Sequence, residues 1–147
     1  MSDEKDVTVR EGTIITLDGS RAGFHSLKES FKSISDAFDR GDSVNGLNMI
    51  AENIIGPTNA MFGFFMTVAG SYDVILGEEL TRNLISKIKA IDELIDILEK
   101  ETGAGNLVEV GDVLRFDYFD ALTELEGLIP QLVEKFKNST APELDQH

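Results

Sequence analysis

The sequence predicts an all-α fold: an antiparallel four-helix bundle with kinked long helices, preceded by an N-terminal β-hairpin or extended arm. Three observations predict it. Apolar residues recur at three- and four-residue spacing in four successive stretches. Short turn signals rich in glycine separate those stretches. Only the first 20 positions follow another pattern, with β-branched runs. A length of 147 residues, 41% hydrophobic and 27% charged, suits one globular domain with its own core. The expected division is an arm or β-hairpin at 1–20, the helical bundle at 21–137 and a flexible tail at 138–147.

Each element has its own grounds. "VTVR" and "TIITL" are β-branched runs split by Glu11-Gly12, which reads as a hairpin or a loosely ordered arm. An isolated hairpin is marginal in water, so it would need the helices or a second copy of itself to hold it. Phe24, Leu27, Phe31, Ile34 and Phe38 then mark one helical stripe, stopped at Gly41. Asp42 or Ser43 can cap the next helix, with Val44, Leu47, Ile50 and Ile54 on one face. Pro57 lacks an N–H and its ring crowds the preceding turn, so a kink or restart is expected there. Met61, Phe64, Phe65 and Val68 resume the pattern. Helix three carries Leu84, Ile88, Ile91, Ile95 and Leu98, and "TGAGN" at 102–106 ends it. Helix four carries Leu114, Tyr118, Leu122, Leu125, Ile129, Leu132 and Phe136, bent near Gly127 and Pro130.

The stretch "GPTNAMFGFFMTVAG" holds no charge. A spanning helix needs about 20 mostly apolar residues. Here Glu52, Asn53, Gly56-Pro57 and Asn59 interrupt upstream, and Ser71, Tyr72 and Asp73 close the run. A buried helix fits better than a membrane helix. It is either wrapped by the other helices and the arm, or packed against another subunit. Met61, Phe62, Phe64, Phe65 and Met66, with Ile14 and Ile15 of the arm, are the candidate interface.

Charge bounds the function further. The net charge is −14, which repels nucleic acid and anionic membranes as partners. Between Gly41 and Leu76 only Asp42, Glu52 and Asp73 are charged. Asp112, Asp117, Asp120 and Glu124 form an acidic cluster, either a solvated stripe or a docking surface for a basic partner. No cysteine is present, and the two histidines, His25 and His147, lack the Glu-x-x-His context of a di-iron bundle. No phosphate loop or calcium loop is found. The expectation is therefore a non-enzyme without cofactor or metal. The charged start "MSDEKDVTVREG" has no apolar signal core, so a cytoplasmic location is expected.

Two stretches carry a resemblance. "GDSVNGLNMI" at 41–50 has a turn and helix start of the form Gly-Asp-x-x-x-Gly-Leu-x-x-Ile. "NLVEVGDVLRFDYFDAL" at 106–122 has an apolar run leading to an acid, an apolar pair and an acidic-aromatic cluster. Both resemble a group of small uncharacterised all-helical bacterial proteins, some encoded near flagellar genes. Arg115 and Phe116 depart from that pattern, where an acid and a tyrosine are expected. The resemblance implies a helical fold and a bacterial origin, and carries no functional residue with it.

The leading expectation is a self-associating adaptor or chaperone-like module, a homodimer with a helical protein as a possible further partner. The alternative is a small apolar ligand binder or sensor with a cavity between kinked helices.

Overall fold

The structure is a computed structural model that describes residues 7–147. All regular structure among the described residues is helical. Helix α1 spans Val9–Asp39, α2 Ser43–Met49, α3 Gly56–Ser71, α4 Asp73–Leu76 and α5 Glu78–Ala104. Then come α6 Leu107–Asp112, α7 Phe119–Glu126 and α8 Ile129–Asn138, with a closing 3-10 turn at Pro142–Asp145. π-helical turns at Ile50–Ile55 and Val113–Tyr118 join α2 to α3 and α6 to α7.

The hairpin expected over Val7–Leu17 is corrected. From Val9 onward these residues are the first turns of α1, and positions 1–6 of the expected arm lie outside the described residues. The reason is local and tertiary together. Thr8 caps the helix by accepting the Glu11 amide at 3.1 Å, the T-x-x-E pattern of a capping box. Leu17 then extends the stripe of Phe24, Leu27, Phe31 and Ile34 backwards, and all five are buried. Burial of that stripe outweighs the modest helix cost of Thr13, Ile14, Ile15 and Thr16.

The tail also differs from the expected flexible end. Leu144 is fully buried, and the Val9 amide donates to the Gln146 carbonyl at 2.8 Å. Arg10 pairs with Asp145 at 3.3 Å and donates to the Phe136 carbonyl. The 3-10 turn is thereby fastened to the start of α1.

Two helix ends use the same device. At Gly41 (φ +80) the Asp42 amide reaches back to the Ala37 carbonyl at 2.8 Å. At Gly105 (φ +73) the Asn106 amide reaches the Glu101 carbonyl at 3.0 Å. Both are left-handed glycine caps that use up free carbonyls and reverse the chain. Short reversals let α1 pack on α2 and α8, α3 on α5, and α5 on α7.

Of the kink or restart expected at Pro57, the structure has the restart: α3 begins at Gly56 with Pro57 in its first turn, directly after a π turn. The backbone stays right-handed through Ile55 (φ −66, ψ −51) and Gly56 (φ −59, ψ −57). The Gly56 amide bonds to the Ala51 carbonyl, one residue farther back than in an α-helix. The buried face explains the widening. Gly46, Ile50, Ile54 and Thr58 are all buried and step by four. On an α-helix each such step overshoots by about 40°. A π turn absorbs the overshoot and keeps the seam aimed at the core. The seam includes Gly46 where Val44 was expected; Val44 is 72% exposed, and a Cβ at Gly46 would overlap the Phe38 ring. Val110, Leu114, Tyr118 and Leu122 repeat the four-step pattern, and the second π turn lies within it. The segment from α6 to α8 breaks at Gly127 and Leu128, and Pro130 sits in the first turn of α8, where its missing N–H costs nothing.

The two four-step seams meet at Thr58 and Tyr118, whose hydroxyls share a hydrogen bond inside the core. Thr58 is the one buried polar residue among the described residues of the core. Tyr118 also presents its ring to Phe31, edge to face with centroids 5.1 Å apart. Tyr118→Phe should leave the Thr58 hydroxyl without its partner and cost about 1–3 kcal/mol. The double variant Thr58→Val/Tyr118→Phe should recover most of that loss in a urea-denaturation cycle, because neither hydroxyl is then left alone. Additive losses would show that the hydrogen bond contributes nothing specific.

Candidate functional site

The uncharged stretch is presented on α3. Its inner side is Thr58, Phe65, Val68 and Ala69, all buried. Phe65 lies wholly in the core against Phe24 (6.1 Å) and Phe64 (5.2 Å), out of a partner's reach. Met61, Phe62 and Phe64 are half-buried and packed on the core edge, as is Ile14 on α1. Met66 is 45% exposed and Ile15 63% exposed. Thus six of the candidate side chains flank α3 and one end of α1, while Phe65 serves packing.

The outward centre of α3 is made of other residues. Gly56, Ala60, Gly63, Thr67 and Gly70 are all exposed and alternate in four- and three-residue steps. Nothing lies within 4 Å of where a Cβ would project from Gly63 or Gly70. No charged residue occurs from Asn53 to Tyr72. A shallow groove of about 390 Å³ runs between this face and α1, walled by Thr16, Gly19, Ala60, Met61 and Phe64. Gly63 and Gly70, which flank the phenylalanines in sequence, mark this strip by their spacing alone, whereas the place of Ala60 and Thr67 on it follows from which side of α3 is buried.

The acidic cluster divides. Asp112 pairs with Arg115 at 3.3 Å, and Arg115 also donates to Ser35 at 3.0 Å. Glu124 pairs with Lys87 of α5 at 3.3 Å. Asp117 and Asp120 are exposed and make no ion pair among the described residues. No group of three or more His, Cys, Asp or Glu suited to a metal occurs among the described residues. His25 faces solvent beside Glu29 at 3.2 Å, and Ser30 donates to the Ser26 carbonyl rather than to the imidazole.

Tyr118 does not line a cleft. Burial pushes its phenol well above the ordinary tyrosine value, and the hydrogen bond with Thr58 offsets this only in part. Tyr72 is half-buried against the Phe136 ring at 5.2 Å. A surface cleft of about 900 Å³ lies between Val74 and Ile75 of the α4 corner and Pro130, Gln131, Lys135 and Ala141. The interior around Phe65, Tyr118 and Leu122 is closed packing, each side chain being at most 1% exposed.

Comparison with known proteins finds no matching family model, no matching curated protein and no matching solved structure. No helix among the described residues is long and apolar enough to cross a membrane.

Tyr118 supplies a pH signature. Its folded pKa is raised, so its contribution to stability is intact below the unfolded value of about 10 and is lost as pH rises above it. Alkaline titration should show Tyr118 phenolate absorbance appearing only with unfolding. Tyr118→Phe should flatten the fall of stability above that pH. Phenolate formation by Tyr118 in the folded chain would contradict its burial.

Proposed function

We propose that the protein is a non-enzymatic interaction module: four antiparallel helical rods that self-associate as a homodimer through the outward face of α3. The rods are α1, α2–α3, α5 and α6–α8. One observation carries the reading. On a chain of net charge −14, the uncharged helix α3 turns a seam of small residues to solvent. Two copies of an acidic protein repel least where neither presents charge. The seam lets two backbones approach closely, and Met66, Phe64 and Ile15 flank it with apolar contact. The 16-residue α3 runs about 24 Å and supplies the centre of the contact, with the start of α1 beside it.

A second copy also satisfies symmetry. Gly56 and Gly70 lie seven residues to either side of Gly63, so an antiparallel pair crossing at Gly63 sets the Gly56 of each copy against the Gly70 of the other. An isologous contact needs that self-complementarity. Nothing in this scheme requires a bound cofactor, and the reading keeps a cytoplasmic module as its setting.

Sedimentation equilibrium tests it. The protein should sediment as a dimer, and Gly63→Glu as a monomer. Because glutamate favours an exposed helix over glycine by about 0.5–1 kcal/mol, the variant should lose assembly while its helix content is kept or improved. A monomer at all concentrations, or a Gly63→Glu dimer, would overturn the proposal.

A further inference from the structure

We infer that the outward face of the α6–α7 rod docks a cationic amphipathic helix of another protein, with Phe116 and Phe119 as apolar anchors and Asp117 and Asp120 as charge partners. Phe116 is 61% exposed and Phe119 39%. They are three positions apart, so they share one side of the rod. Phe119 keeps one side against Phe31, with centroids 6.5 Å apart, while Phe116 stands mostly in water; with Val108, 75% exposed, they are the large apolar side chains this rod leaves exposed among polar and charged positions. Packing accounts for Tyr118, which turns inward from the end of the π turn. It does not account for Phe116.

Charge names the occupant. The cations near the rings already have partners. Lys28 stands 4.8 Å over the Phe119 ring and pairs with Glu126 at 3.2 Å. Arg115 is held by Asp112 and Ser35. Asp117 and Asp120, the sequence neighbours of the two rings, are exposed and make no ion pair among the described residues. An apolar centre with an acidic rim complements a helix with an apolar stripe and lysine or arginine flanks. An acidic helix, including a second copy of this chain, would meet repulsion there. Thr58 and Tyr118 face each other across the core. This surface therefore points away from the α3 face and is free in the proposed dimer, and the inference does not rest on that dimer forming.

The probe is a designed helix of about 18 residues with leucines on one face and lysines on the rest, labelled for fluorescence anisotropy; a glutamate-for-lysine version is the control. The lysine peptide should bind the full chain at physiological salt and the control should not. Phe116→Ala should weaken binding about tenfold. Asp117→Asn/Asp120→Asn should weaken it about fivefold, with a shallower salt dependence. All substituted positions are exposed, and circular dichroism should confirm unchanged helicity. Amide shift changes should centre on Phe116–Asp120. Equal binding by wild type and variants, or shift changes spread over acids elsewhere, would mean general attraction to an acidic protein and would overturn the inference. Absence of binding even at low salt would overturn it as well.

Discussion

The hydroxyl pair of Thr58 and Tyr118 is where the two π-interrupted rods come together. Each rod reaches that point along a buried series stepping by four, and each needs a π turn to keep that series facing inward. A buried hydroxyl without a partner is costly, so the pair ties one register to the other. Sliding either rod by one residue would leave both oxygens unsatisfied and swing the apolar seams off the core. Phe31, edge-on to Tyr118, brings α1 into the same junction. The rest of the packing is apolar and tolerant; this contact is directional.

The same junction separates the two outward surfaces. Because Thr58 and Tyr118 point toward each other, the opposite sides of their helices point apart. One of those sides is neutral and built from small residues. The other carries exposed phenylalanines among carboxylates. Three acids of the fourth rod are matched by Arg115, Lys87 and Lys28. The matched pairs help join that rod to α5 and α1, while the unmatched acids stay on the outside. Surface ion pairs contribute little stability individually. Their larger consequence here is which charges remain available to a partner.

The chain ends contribute to the frame as well. Arg10 joins the first turn of α1 to Asp145 and to the end of α8, and Leu144 closes the core beside it. Left-handed glycines at 41 and 105 turn the chain sharply, which holds consecutive rods side by side. The joint at Gly77 (φ +87) follows the short α4, whose Val74 is 91% exposed at the lip of the cleft beside Pro130.

The stripes Phe24–Ile34, Leu84–Leu98 and Leu122–Phe136 were legible in the sequence because helical spacing alone places such residues on one face. The glycine stops at 41 and 105 and the break near Gly127 and Pro130 were legible for the same kind of reason, since each is a local backbone preference. The uncharged stretch was visible too, though Phe65 could not be separated from Met66 without knowing which side of α3 meets Phe24. The N-terminal residues misled because β-branched composition is a local signal, and burial of Leu17 with docking of the tail overrides it; the Thr8–Glu11 cap was the local cue pointing the other way. By itself the sequence determined the all-helical class, the core stripes and the sign of the charge. Tertiary structure decided which acids find cations, which rings stay in water and where the π turns fall. Those outcomes depend on distances between rods, and a one-dimensional pattern does not contain them.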